Sequence, residues 1–145
     1  MSSDPIGSLE TSLVELRRRQ RRHALAAHLP IAERRIADIV DAVAASPEPV
    51  SVADVAVALA VDPSQASRRV AAAVEAGVVR RAAAQHDGRV SVIELTAEGR
   101  RLLDGMQSAR RDLIRRATTG WSAADRRQFA DLLARFVADL DQPAP

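Results

Sequence analysis

Cysteine, tyrosine and lysine are all missing from this chain, and aromatic residues make up only 2% of its 145 positions. The lack of Cys excludes disulfides, thiol catalysis, thiolate metal sites and cysteine-based redox sensing. The scarcity of rings leaves Ala, Val and Leu to form the core, through close helix contacts with few bulky anchors. The longest unbroken apolar run is VAVALAV at residues 55–61, far short of the roughly 20 residues of a membrane span. No N-terminal segment reads as a signal peptide. The expectation is a cytoplasmic protein with no membrane partner. A glycine-rich phosphate loop is also missing, as is any His and carboxylate set beside a nucleophile at motif spacing, so nothing supports an enzyme. His23 and His28 stand without Cys or carboxylate at ligand spacing. We therefore expect no metal and no cofactor.

What is present is apolar enough to fold. Hydrophobic residues reach 47%, which rules out a disordered chain. The charge needs more care, because the pI of 10.7 accompanies a net charge of only +2. With nothing to titrate between His and Arg, the charge curve is flat and the pI is pushed up. Location matters more than the total. Over 31–60, Arg34 and Arg35 face Glu33, Asp38, Asp41, Glu48 and Asp54, a net −3. Over 64–93, Arg68, Arg69, Arg80, Arg81 and Arg89 face Glu75 and Asp87, a net +3. A basic face, if the fold has one, belongs to the middle of the chain.

Helical spacing of Leu9, Leu13 and Leu16 marks a first helix that runs into RRRQRRHALAAHL and is closed by Pro30. The arginines at 17–22 fit either a basic arm near DNA or the solvated face of that helix, with the second favoured. Ile36, Ile39, Val40 and Val43 mark a second helix over about 32–45. Ser51 and Asp54 open a short third helix as a capping box, with Val52, Val55, Ala56 and Leu59 on one face. A fourth helix starts at Asp62-Pro63 and ends before Gly77. VVRRAAAQ and RVSVIEL are β-prone runs on either side of HDGR, a hairpin turn signal. Alternation puts Val92 and Ile93 on opposite faces of the second strand. Thr96 then caps a long helix with Leu102, Leu103, Met106, Leu113 and Ile114 as its stripe, ended by Gly120. Ser122 and Asp125 start a last helix with a wide face of Phe129, Leu132, Leu133, Phe136, Val137 and Leu140, which Trp121 is expected to anchor against the body. The order is α-α-α-α-β-β-α-α, a mainly helical fold with a two-stranded wing.

The fourth helix is divided against itself. At 100° per residue, Ala66, Val70, Ala73, Val74 and Gly77 gather on one side. Ser64, Gln65 and Arg68 lie nearly opposite, with Ser67 and Arg69 on the flanks. The inward side is small, so the helix packs closely. The outward side offers hydroxyl, amide and guanidinium groups, which are the groups that read base edges and phosphates. A short helix, a tight turn, a second helix with a polar front and a hairpin with Arg89 at its tip describe a winged helix-turn-helix. Arg89 suits a narrow minor groove, and Asp87 is placed to orient it by a charge-assisted hydrogen bond.

The run from PVSVADVAVALAVDPSQASRRV through EAGVVRR to HDGRVSVIELTAEGRRLL resembles the DNA-binding core of MarR-type transcriptional regulators. Asp87-Gly88-Arg89, Leu95-Thr96 and Gly99 fall at the family's spacings from Gly77. The resemblance covers residues 50–104 strongly, and the outer helices only in number and placement. It implies a repressor that binds double-stranded DNA at a palindromic operator as a homodimer. It also implies a small amphipathic effector that releases the DNA. Residues 1–30 and 101–145 would then dimerise and 31–100 would bind DNA. The candidate DNA contacts are Ser51, Ser64, Gln65, Ser67, Arg68, Arg69, Asp87 and Arg89. Ala73 stands where the family usually has Leu, and Arg69 where it usually has an apolar residue. The competing class is a winged-helix dimer that binds protein and not DNA.

Overall fold

The computed structural model describes residues 4–22, 31–83 and 91–140. Its elements follow the expected order: α1 (Pro5–Arg22), α2 (Ile31–Ala45), α3 (Val52–Leu59), α4 (Pro63–Glu75), β1 (Val79–Ala83), β2 (Ser91–Leu95), α5 (Ala97–Ala117) and α6 (Ala123–Leu140). His23, His28 and Pro30 lie outside the described residues, as does the segment 84–90 that joins the strands.

The helix boundaries are set by local chemistry. Asp4 accepts hydrogen bonds from the N–H groups of Ile6 and Gly7, at 3.1 Å each, and starts α1. Ser51 and Asp54 form a reciprocal capping box on α3. That helix ends at Ala60 in the left-handed region, φ 51 and ψ 48, an unusual place for a residue with a Cβ. Asp62 caps α4 by accepting from Gln65 N–H at 2.8 Å, ahead of Pro63 in the first turn. Gly77, at φ +74, closes α4: its N–H donates to Val74 O and that of Val78 to Ala73 O. This is the paired pattern of a Schellman stop.

Burial then follows the apolar stripes. Ile39, Val40, Ala42 and Val43 of α2 meet Val50, Val55 of α3, Val70 and Ala73 of α4, and Val78, Val79 and Ile93. Leu102 and Leu103 of α5 close over this cluster from its edge. Each fully buried Val or Ile contributes about 1.5–3 kcal/mol of transfer free energy. β1 and β2 pair antiparallel, with Val79 opposite Leu95 and Ala83 opposite Ser91. Ile93 N–H also donates to Val50 O at 2.8 Å, which ties the segment before α3 to β2. Val92 and Ile93, which alternation places on opposite faces of β2, are both buried. At that point neither face of the strand is open to solvent.

The chain divides into two compact units, 1–109 and 110–145. In the second, Ser122 and Asp125 form the expected cap on α6. Trp121 meets Phe129 edge to face at 5.6 Å, so its anchoring contact is within the helix it precedes. No residue of α6 is buried, and its apolar face runs from 38% exposed at Phe136 to 66% at Leu140. Among the described residues, no helix is long and apolar enough to cross a membrane.

Candidate nucleic-acid interface

The front of α4 is built by its cap. Asp62 holds the Gln65 N–H, and that hydrogen bond keeps its carboxyl below the ordinary aspartate value, with a smaller contribution from the Arg68 charge. From this fixed start the helix turns Ala66, Val70 and Ala73 completely inward, each at 0% exposure. Ser64, Gln65, Ser67 and Arg68 are exposed. Ser64 and Arg68 stand one turn apart on the same side, and Gln65 reaches the same strip at three residues' spacing. Neither Arg68 nor Arg69 has an ion pair with another described residue.

Three positions depart from the simple picture. Arg69 is only half-buried, on the flank where spacing places it. Val74, placed inward by the 100° construction, is 37% exposed. Ser51 is engaged within the protein. Its hydroxyl donates to Asp54 Oδ2 at 2.6 Å and accepts from Asp54 N–H at 3.2 Å, while its own N–H donates to the same carboxylate at 2.7 Å. These bonds, led by the hydroxyl, hold the Asp54 carboxyl below its ordinary value. Asp87 and Arg89 lie outside the described residues.

Two features escaped the sequence reading. The first is a cross-strand ion pair, Arg80 Nη2 to Glu94 Oε2 at 2.6 Å, which removes one charge from the basic surplus. Its signal was available, since a hairpin symmetric about position 87 pairs residue 80 with residue 94. The second is Thr96. It was expected only to cap α5, and its hydroxyl does accept from Gly99 N–H at 3.1 Å. The same hydroxyl donates to Gly77 O at 2.6 Å, and its backbone N–H donates to Val78 O at 3.1 Å. Among the described residues no group of His, Asp or Glu is placed to hold a metal ion.

Residues 34–90 match the model of the MarR family. The comparison with curated protein sequences returns no match. Among solved structures, the fold is similar to a MarR family protein from Bacillus stearothermophilus, at 18% identity and TM-score 0.78, over 98% of this chain and 99% of that one. It is similar to the transcriptional regulator BldR from Sulfolobus solfataricus, at 18% identity and TM-score 0.63, over 94% and 99% of the two chains. A mutant of S. aureus MepR bound to an oligodeoxyribonucleotide matches at 17% identity and TM-score 0.58, over 92% and 97%. Residues 34–90 are thus similar to the MarR family, and the fold is similar to that of a solved MarR family protein over almost its whole length.

Proposed function

We propose that this protein is a cytoplasmic, non-enzymatic transcriptional regulator that binds a palindromic operator as a homodimer and acts as a repressor. The observation that carries the reading is the division of α4. Its Ala66, Val70 and Ala73 are wholly buried, while Ser64, Gln65, Ser67 and Arg68 are exposed at its N-terminal end. A helix entering the major groove by that end meets base edges with donors and acceptors, Arg to guanine and Gln to adenine. The half-buried Arg69 and the engaged Ser51 suit phosphate contacts better than base contacts. Asp87 and Arg89 would serve the minor groove from the wing. The MepR complex with an oligodeoxyribonucleotide supports DNA as the partner.

Dimerisation is proposed from the bare apolar face of α6 together with Ile6, Leu9, Leu13 and Leu16 of α1, all exposed in the single chain. The working division is residues 1–30 and 101–145 for dimerisation and 31–100 for DNA, with release by a small amphipathic effector. The test is selection of bound sequences from a random duplex pool, followed by affinity at increasing salt. A selected palindrome with binding that weakens as salt rises supports the reading. Failure to enrich any sequence favours the protein-interaction alternative. A solution mass of one chain at micromolar concentration would remove the homodimer.

A further inference from the structure

The C-terminal end of α4 is fastened to the start of α5 through one residue, Thr96, by its hydroxyl and its backbone N–H. Gly77 and Val78 are tied to the last turn of α4 by their N–H groups, which donate to Val74 O and Ala73 O. The free carbonyls of the same two residues both point to Thr96. Gly77 O receives the Thr96 hydroxyl at 2.6 Å, and Val78 O receives its backbone N–H at 3.1 Å. The hydroxyl's remaining capacity accepts from Gly99 N–H in the first turn of α5. That turn approaches so closely that a Cβ on Gly99 would lie 1.9 Å from Val78 O. A single residue thus joins the stop of α4, the end of the sheet and the N-terminus of α5.

A helix cap alone needs only an acceptor for the Gly99 N–H, and Ser, Thr, Asp or Asn would all supply one. The bond to Gly77 O requires a donor, which capping does not. We propose that Thr96 is a positioning residue for DNA reading: by holding Gly77 it sets the orientation of α4, and so the alignment of Arg68, Gln65 and Ser64, without touching DNA. The proposal rests on the DNA-binding reading above.

The two roles of the hydroxyl separate by substitution. Thr96→Asp keeps a good cap acceptor and has no donor for Gly77 at neutral pH. Thr96→Ser keeps both. For each variant, affinity is measured for the selected operator and for a scrambled duplex of equal length, at a temperature where circular dichroism shows full helicity. The ratio of the two affinities cancels the charge that Asp adds. Thr96→Asp should lower that ratio about fivefold or more, the lower end of what a misaligned bidentate Arg loses. Thr96→Ser should restore it to within about twofold of the parent, a difference too small to matter on this scale. A parental ratio in Thr96→Asp, or a low ratio in Thr96→Ser, overturns the proposal while leaving DNA binding intact. A parent protein that does not distinguish the two duplexes overturns both.

Discussion

Gly99 and Gly105 lie on the same helix, and replacing each by Ala should move stability in opposite directions. In a free helix Ala is better than Gly by up to about 1 kcal/mol, from backbone entropy. At Gly105 nothing lies within 4 Å of an added Cβ, so that gain should appear almost undiminished. At Gly99 the added carbon would sit 1.9 Å from Val78 O and 3.0 Å from Val78 C. The obstacle is backbone and cannot rotate aside. Relief requires the first turn of α5 to retreat by more than an ångström, roughly the shortfall from normal van der Waals contact. Such overpacking costs about 1–3 kcal/mol. The retreat also stretches the Thr96 bonds to Gly77 O and Val78 O, each worth about 0.5–1.5 kcal/mol net. After subtracting the helix gain, Gly99→Ala should lose about 2 kcal/mol, or about 4–8 °C in midpoint for a chain of this size. Thermal and urea unfolding at one fixed protein concentration would measure both variants, since the stability of the proposed dimer would depend on concentration. If Gly99→Ala matches Gly105→Ala in sign, the close approach of α5 to Val78 is wrong, and the Thr96 junction loses its geometric basis.

Other substitutions test separate parts of the fold. Ala60→Gly should stabilise by about 1 kcal/mol in urea unfolding, because Ala60 holds φ 51 at the turn between α3 and α4; a loss would mean the turn is relaxed in solution. Ala73→Leu restores the residue the family usually has, yet Ala73 is fully buried against the α2 cluster. It should cost about 1–3 kcal/mol by overpacking, and a neutral result would reveal space that the structure does not show. The Asp54 carboxyl has its pKa lowered by the Ser51 hydroxyl and N–H. A lowered folded value means its contribution is full above the unfolded value of about 3.9 and is lost as pH falls through the folded value. Asp54→Ala should therefore be less stable than the parent at neutral pH, with the gap closing on acidification below about pH 4. A gap independent of pH would remove the carboxylate from the cap.

Much of this was readable from the sequence because it is local. The caps at Ser51 with Asp54, at Asp62 with Pro63, at Thr96 and at Ser122 with Asp125 are patterns within four residues, and each sits where it was expected. The buried side of α4 followed from helical periodicity at Ala66, Val70 and Ala73. Val74 escaped because periodicity assigns a direction and says nothing of how far a neighbour extends. What stayed hidden is non-local and largely backbone: Ile93 N–H on Val50 O, the Val78 carbonyl against Gly99, and the Thr96 hydroxyl on Gly77 O. Residue types do not report where a carbonyl from twenty positions away arrives. The Arg80–Glu94 pair lies between these cases. Hairpin register implies it, but a running sum of charge counts Arg80 as free. For the candidate site, the face of α4 was legible from spacing, and so was the pairing of Ser51 with Asp54, whereas the exposure of Val74 needed the structure.

The central claim is that the exposed front of α4 reads DNA, and Arg68 tests it most directly because it is exposed and has no ion pair among the described residues. The measurement is the affinity of parent and Arg68→Ala for the selected operator and for variants altered at each base of one half-site, at one fixed salt concentration. The parent should discriminate at every position of the half-site core. Arg68→Ala should lose about 1–3 kcal/mol on the operator and lose discrimination at one base pair per half-site, with its thermal midpoint unchanged. Equal binding of both proteins to every sequence would contradict the account and place α4 away from the DNA.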